Sequence, residues 1–287
     1  MSKIRAYYSL TKPGVLYGNV ITAAAGFLLA SRGRIDWWLF LALLVGMTLV
    51  IASACVLNNF LDQDIDSKME RTKKRAIVAG EVKGSGAVIF SIVLGALGLA
   101  TLILFTNWLV VIIGVLGYID YVVLYGMLSK RLSIHGTLVG SISGAAPILA
   151  GYVAAKGAID LGAVLVFAVL FFWQMPEFYS IAIYRLKEYK AAGVPVISVV
   201  KGVDTTIMQI FFYTLAFSVS AIALSLFRYT GYVYLCVMLL VCIYWLRLAA
   251  DGAKAKNKDA WAKKMFRFSL VSLLVFSGLL SLTALLP

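Results

Sequence analysis

The chain has 287 residues, 62% of them hydrophobic and only 14% charged, with a mean hydropathy of +0.94. That balance excludes an ordinary soluble domain and identifies a polytopic membrane protein. The net charge of +13 would suit a nucleic acid, but basic loops beside anionic lipid headgroups account for it more simply, so membrane lipids and not nucleic acid are the expected partners.

A bilayer is crossed by about 17 to 25 apolar residues. Read in chain order, the sequence predicts spans at 14–31, 37–60, 86–106, 108–128, 137–155, 160–182, 205–227, 231–250 and 266–286. Each is bounded by charge, Gly, Pro or Asn, the residues that commonly end helices. The first is read as a retained helix, because its run is longer than a signal core and eight spans follow it. The fold class is therefore all-α, with nine transmembrane helices forming a single domain over 1–287. Of the 26 Lys and Arg residues, only Arg32, Arg34, Lys156 and Arg228 fall on the side opposite the amino terminus. This bias predicts a cytoplasmic amino terminus and cytoplasmic loops after the second, fourth, sixth and eighth spans. Cys55, Cys236 and Cys242 lie in or at the edge of spans without metal-type clustering and read as packing residues.

The second span ends in a series, Asn58, Asp62 and Asp66, followed by Glu70, Arg71, Lys73, Lys74 and Arg75. Positions four apart lie on nearly one helical face, so two carboxylates and an amide are expected to converge within about 12 Å. Carboxylates at a membrane edge need a partner, and a hard divalent cation suits them. Acids that hold a cation beside bases that hold anions suit a metal-bound polyanion, and Mg²⁺ with a diphosphate fits that description. A helix end with solvated ion pairs is the plain alternative.

The sixth span ends in a similar polar loop, from Ile183 to Asp204, with Tyr184, Arg185, Lys187, Glu188, Lys190 and Lys201. Spans two and six share one orientation, so both loops are expected around one cytoplasmic mouth of a central cavity. Glu177, just after Pro176, falls where the span is still in hydrocarbon, and an ionisable residue there is a functional candidate. Asp120, beside Tyr118, Tyr121 and Tyr125, either orients a ligand or accepts hydrogen bonds from neighbouring helices. His135, the only histidine, reads as a solvated surface residue. Gly140 and Gly144, with Ser141, Ser143, Ala145 and Ala146, form a small-residue face for close helix packing.

The series Asn58, Asp62 and Asp66, with Met69-Glu70-Arg71-Thr72 and Arg75, resembles the first aspartate-rich motif of the UbiA-type intramembrane prenyltransferases, which also have nine transmembrane helices. Thr11-Lys12-Pro13-Gly14, Gly144-Ala145-Ala146-Pro147, Trp173-Gln174-Met175-Pro176 and the stretch 191–202 are similar to the branch of that family that farnesylates haem b. The resemblance implies transfer of farnesyl from farnesyl diphosphate to a haem b vinyl group in a bacterial cytoplasmic membrane, beside a terminal oxidase or a haem A synthase. It implies Mg²⁺ on Asn58, Asp62 and Asp66, with Asp62, Asp66 and Arg71 catalytic. Diphosphate would be held by Asn58, Arg71, Lys73, Arg75, Arg185, Lys187 and Lys201, and the acceptor by Asp120, Tyr125, Glu177 and Tyr184. Members of that branch usually carry His directly after the Trp-Gln-Met-Pro run, where this chain has Glu177, which bears on the choice of acceptor. Two alternatives stand beside this reading: prenyl transfer to another lipid-soluble or aromatic acceptor, and an ion-coupled transporter. A transporter would spread charge through its spans, whereas here the acids crowd one face.

Overall fold

The computed structural model describes residues 2–287. A short helix, α1 (Lys3–Leu10), precedes the membrane helix α2 (Pro13–Ser31). Between them Lys12 adopts φ 53°, a left-handed conformation that few side chains tolerate, and Pro13 sets the first helical position of α2. Then come α3 (Trp37–Leu61), α4 (Gln63–Asp66), α5 (Gly84–Phe105) and α6 (Trp108–Ile119). The last continues through a π-helical stretch, Asp120–Ser129, into α7 (Lys130–Leu132). The remainder is α8 (Gly136–Lys156), α9 (Leu161–Tyr184), α10 (Leu186–Ala192), α11 (Ile197–Val200), α12 (Val203–Leu226), α13 (Tyr232–Ala250) and α14 (Lys258–Leu282). Among the described residues nine helices are long and apolar enough to cross a membrane, and no strand occurs.

Short polar side chains start several spans. Asp36, Asn107, Asp160 and Asn257 each accept the amide three residues on, at 3.0 to 3.1 Å, which satisfies one of the donors a helix start leaves free. The Asn257 cap explains the one large displacement from the sequence-based spans. The ninth helix starts at Lys258 and not at 266, because its first turns mix Lys258, Asp259, Lys263 and Lys264 with the buried Trp261, Ala262 and Met265. An apolar-run criterion misses turns that are half core and half charge.

Two cores hold the spans together. Phe27, Leu43, Met47, Leu102, Val110 and Val153 join α2, α3, α5, α6 and α8. Ile148, Trp173, Phe217, Trp245 and Phe276 join α8, α9, α12, α13 and α14. The shared element α8 is clamped to α2 by two glycines. A Cβ on Gly26 would lie 2.2 Å from the Ile148 carbonyl oxygen, and one on Gly151 would lie 2.0 Å from that of Ala23, so these backbones touch directly. Outward-facing Ile89, Ile92, Leu97 and Leu104 suit hydrocarbon. Trp37, Trp38 and Trp108, exposed at the starts of α3 and α6, suit an interfacial aromatic belt.

Candidate active site

A cavity of about 620 Å³ lies between α2, α3, α6, α8, α9 and α14, with its charged end at the loops after α3, α7 and α9. The aspartate-rich segment forms one side of that end. α3 stops at Leu61, and Asp62 takes φ −88° and ψ 5° before α4 begins, so the expected unbroken helix is interrupted. The helical phase survives the interruption, because the Asp62 amide bonds the Asn58 carbonyl at 3.0 Å and the Asp66 amide bonds that of Asp62 at 2.8 Å. Asn58, Asp62 and Asp66 all line the cavity and are 1%, 1% and 3% exposed.

Each carboxylate has a cation against it. Lys130 Nζ lies 2.5 Å from Asp62 Oδ2, and Arg75 Nη1 lies 2.5 Å from Asp66 Oδ2. Lys12 donates to Asn58 Oδ1 and lies over the Tyr121 ring. Removal from water pushes the Lys12 ammonium down to about 8, which makes it a weakly solvated cation ready for an anion. Arg131 joins the two sides of the Asp62 break: its guanidinium donates to both Asp64 carboxylate oxygens, at 2.7 and 2.8 Å, and to the Leu61 carbonyl at 2.6 Å. These hydrogen bonds hold the Asp64 carboxyl down at about 2.

The donor set fits a hard divalent cation. Asp62 Oδ1 is buried without a hydrogen-bond partner, although a buried carboxylate oxygen ordinarily has one. Among the described residues no His, Cys or further acid joins the two carboxylates to make a closed protein cage. Two carboxylates and an amide oxygen leave coordination positions for phosphate and water, which is how Mg²⁺ is commonly held.

The second loop closes over the first. Glu188 Oε2 accepts from the Arg71 amide at 3.4 Å and Glu188 pairs with Arg185, while Ile65 and Met69 pack against Ala192 and Val194. Arg71, Arg75, Arg185, Tyr125, Glu177 and Tyr184 line the cavity with the aspartates. Four expected residues do not. Lys73 is exposed and paired to Glu70 at 2.6 Å. Lys187 and Lys201 are exposed on α10 and after α11, away from the cavity. Asp120 is buried in the seam between the π-helical stretch and α8, off the cavity lining, where its Oδ2 accepts the Ser143 amide at 3.0 Å and its Oδ1 has no hydrogen-bond partner. His135 is exposed. Glu177 has no cation in salt-bridge range among the described residues. Lys12, Lys130, Arg131, Tyr121 and Gln174 were absent from the sequence-derived site. A basic pair ending the fourth span, on the same membrane side as the aspartates, was the available signal for Lys130 and Arg131.

Six of the nine spans among the described residues enclose a cavity whose mouth holds two aspartates among cations, the arrangement of an intramembrane site suited to an anionic group with an apolar tail. Residues 19–271 match the UbiA prenyltransferase family, and the chain belongs to that family. It is 47% identical over 279 residues to the protoheme IX farnesyltransferase of Edwardsiella ictaluri, covering 97% of this chain and 94% of that protein. It is 44% identical over 286 residues to protoheme IX farnesyltransferase 2 of Chromobacterium violaceum, covering 99% and 95%. The fold is shared with a digeranylgeranylglyceryl phosphate synthase, at TM-score 0.83 and 21% identity over 99% of both chains. A UbiA homolog from Archaeoglobus fulgidus bound to DMAPP and Mg²⁺ also shares it, at TM-score 0.75 and 15% identity over 96% of this chain and 99% of that one.

Proposed function

We propose that this prenyltransferase moves a farnesyl group from farnesyl diphosphate to a vinyl group of haem b, giving haem O. The observation that carries the reading is the pairing of Asp62 and Asp66 with Lys130 and Arg75 at the mouth of an apolar cavity, taken together with the farnesyltransferase relatives.

Asn58, Asp62 and Asp66 would hold Mg²⁺, which supplies Lewis-acid neutralisation of diphosphate charge. Lys12, Arg71, Arg75, Lys130 and Arg185 bind the diphosphate oxygens and stabilise the charge that grows on them as the carbon–oxygen bond breaks. The allylic cation left behind is attacked by the vinyl terminal carbon. Water then adds to the resulting cation and releases a proton, leaving a hydroxyethylfarnesyl group. The seal between the aspartate loop and α10 excludes bulk water until that addition. Tyr121 and Tyr125, whose rings stack 5.7 Å apart, carry the Lys12 and Lys130 ammonium groups over their faces, which holds both cations at the diphosphate end of the cavity. The chain would sit in a bacterial cytoplasmic membrane with its amino terminus in the cytoplasm, supplying a terminal oxidase or a haem A synthase.

The test incubates purified protein with Mg²⁺, farnesyl diphosphate and haem b and looks for haem O by chromatography and mass. Product supports the reading. Diphosphate release into a different prenylated acceptor, with none from haem b, replaces the acceptor. Glu177 is the specific observation that favours checking this second case, because an acidic side chain with no cation beside it offers haem propionates no positive partner.

A further inference from the structure

The cavity wall has two chemistries. Toward α2, α8 and α9 it carries Asn19, Thr137, Ser143, Gln174 and Glu177. Gln174 is fixed there: its Nε2 donates to the Ser141 and Leu170 carbonyls at 3.1 and 3.0 Å. Its amide rests on Gly144, where a Cβ would lie 1.9 Å from Oε1. Along α3 and α6, below Tyr118, the wall is Met47, Val50, Ile51, Ala54, Ile113 and Gly114, with no side-chain hydrogen-bonding group except the weak Met sulfur. Hydrocarbon gains about 25 cal/mol per Å² on burial, while a polar group without a partner loses free energy. An unbranched apolar tail therefore partitions to the α3–α6 limb, and an acceptor with polar substituents to the other.

The α3–α6 limb is closed at its deep end. Leu43, Leu102 and Val110 are fully buried beneath it in a packed core. Gly114 lines the limb with bare backbone, and a Cβ there would sit 3.2 Å from Leu102 Cδ1 and 3.9 Å from Met47 Sδ, so any side chain at this position crowds the closed end. From Asp62 to Met47 the chain runs fifteen residues along α3, roughly 22 Å at the helical rise. A chain tethered at Asp62 by its diphosphate reaches Met47 and Gly114 and goes no further.

We infer that Met47 and Gly114 form the floor that sets the longest prenyl chain this enzyme accepts. The inference rests on the proposed prenyl-diphosphate site at Asp62 and Asp66. It is tested on the full-length protein in nanodiscs with Mg²⁺, by measuring equilibrium binding of geranyl, farnesyl and geranylgeranyl diphosphate alongside kcat/KM for each with haem b. Gly114→Leu is expected to weaken farnesyl relative to geranyl diphosphate by about tenfold or more, the scale of one obstructing group in an apolar pocket. Met47→Ala is expected to strengthen geranylgeranyl diphosphate by about the same factor. Gly114→Ala, one methyl against a flexible leucine, shifts the order less and in the same direction, and keeps the test open if the leucine variant fails to fold. An unchanged order of the three chain lengths, or a uniform loss across them, overturns the floor while the diphosphate site stands. That result follows if the tail instead leaves beside Phe178 and Leu270, which are exposed on α9 and α14. Failure of the wild type to bind any of the three removes the diphosphate site and the floor with it.

Discussion

Lys130 and Asp62, 68 positions apart in the chain, meet at 2.5 Å with Asp62 almost completely buried. The end of the fourth span thus supplies a counter-ion to the end of the second. A buried carboxylate left with no cation is destabilised by about 3 to 5 kcal/mol; Arg131 Nη2, 3.9 Å from Asp62 Oδ1, keeps the loss of Lys130 below that figure. Lys130→Met should therefore lower the unfolding temperature measured in chelator, and Mg²⁺ should recover a larger part of the loss than it adds to wild type. Equal responses to Mg²⁺ in the two proteins would separate Asp62 from the metal.

Asp62→Ala and Asp66→Ala should each reduce turnover at least about a hundredfold, the scale of removing one preorganised charge-stabilising group, with the protein still folded in membranes. Chelation of wild type should do the same, and added Mg²⁺ should restore activity to wild type alone. Diphosphate release is the assay. Retained activity in both alanine variants would remove these carboxylates from the chemistry.

Arg131 fixes the angle between α3 and α4 through its fork to Asp64 and its bond to the Leu61 carbonyl. Lysine keeps the charge and loses the fork. Arg131→Lys should raise the Mg²⁺ concentration needed for half-maximal activity by about tenfold, the lower end of what the 1.5 to 3 kcal/mol of a charged hydrogen bond would give. Asp64→Asn should move the same quantity in the same direction. A lowered kcat with an unchanged Mg²⁺ requirement would mean that Arg131 acts on the substrate and not on the turn.

The α2–α8 contact predicts a purely structural effect. Gly151→Ala places a methyl where the Ala23 carbonyl already is, and overpacking of this kind costs about 1 to 3 kcal/mol. Thermal unfolding in detergent should show the loss, while KM for farnesyl diphosphate stays near wild type.

Much of the fold was legible because hydrocarbon thickness imposes itself on the sequence. Eight of the nine spans fall within a few residues of the apolar runs, apart from the charged ends of the fourth and eighth. The start of α14 is not legible as an apolar run, because Trp261 and Met265 bury a face of helix that its lysines disguise. Four-residue spacing anticipates that Asn58, Asp62 and Asp66 share one wall of the cavity, since local periodicity encodes a face. Lys12 and Lys130 reach them from 46 and 68 positions away, a relation no local pattern carries. Lys73, Lys187, Lys201 and Asp120 show the converse: nearness in sequence to a site does not fix which way a helix turns its side chains.

The ion pairs at the mouth have a thermodynamic consequence. With Lys130 and Arg75 already seated on Asp62 and Asp66, an arriving divalent cation must displace a resident positive charge before it can settle. The displaced lysine and arginine are then left facing the cavity without an anion, which a diphosphate provides. Metal and diphosphate are therefore coupled ligands: each should bind weakly alone, and each should raise the affinity of the other by the same factor. A metal titration without prenyl diphosphate would report only the uncoupled half of that equilibrium.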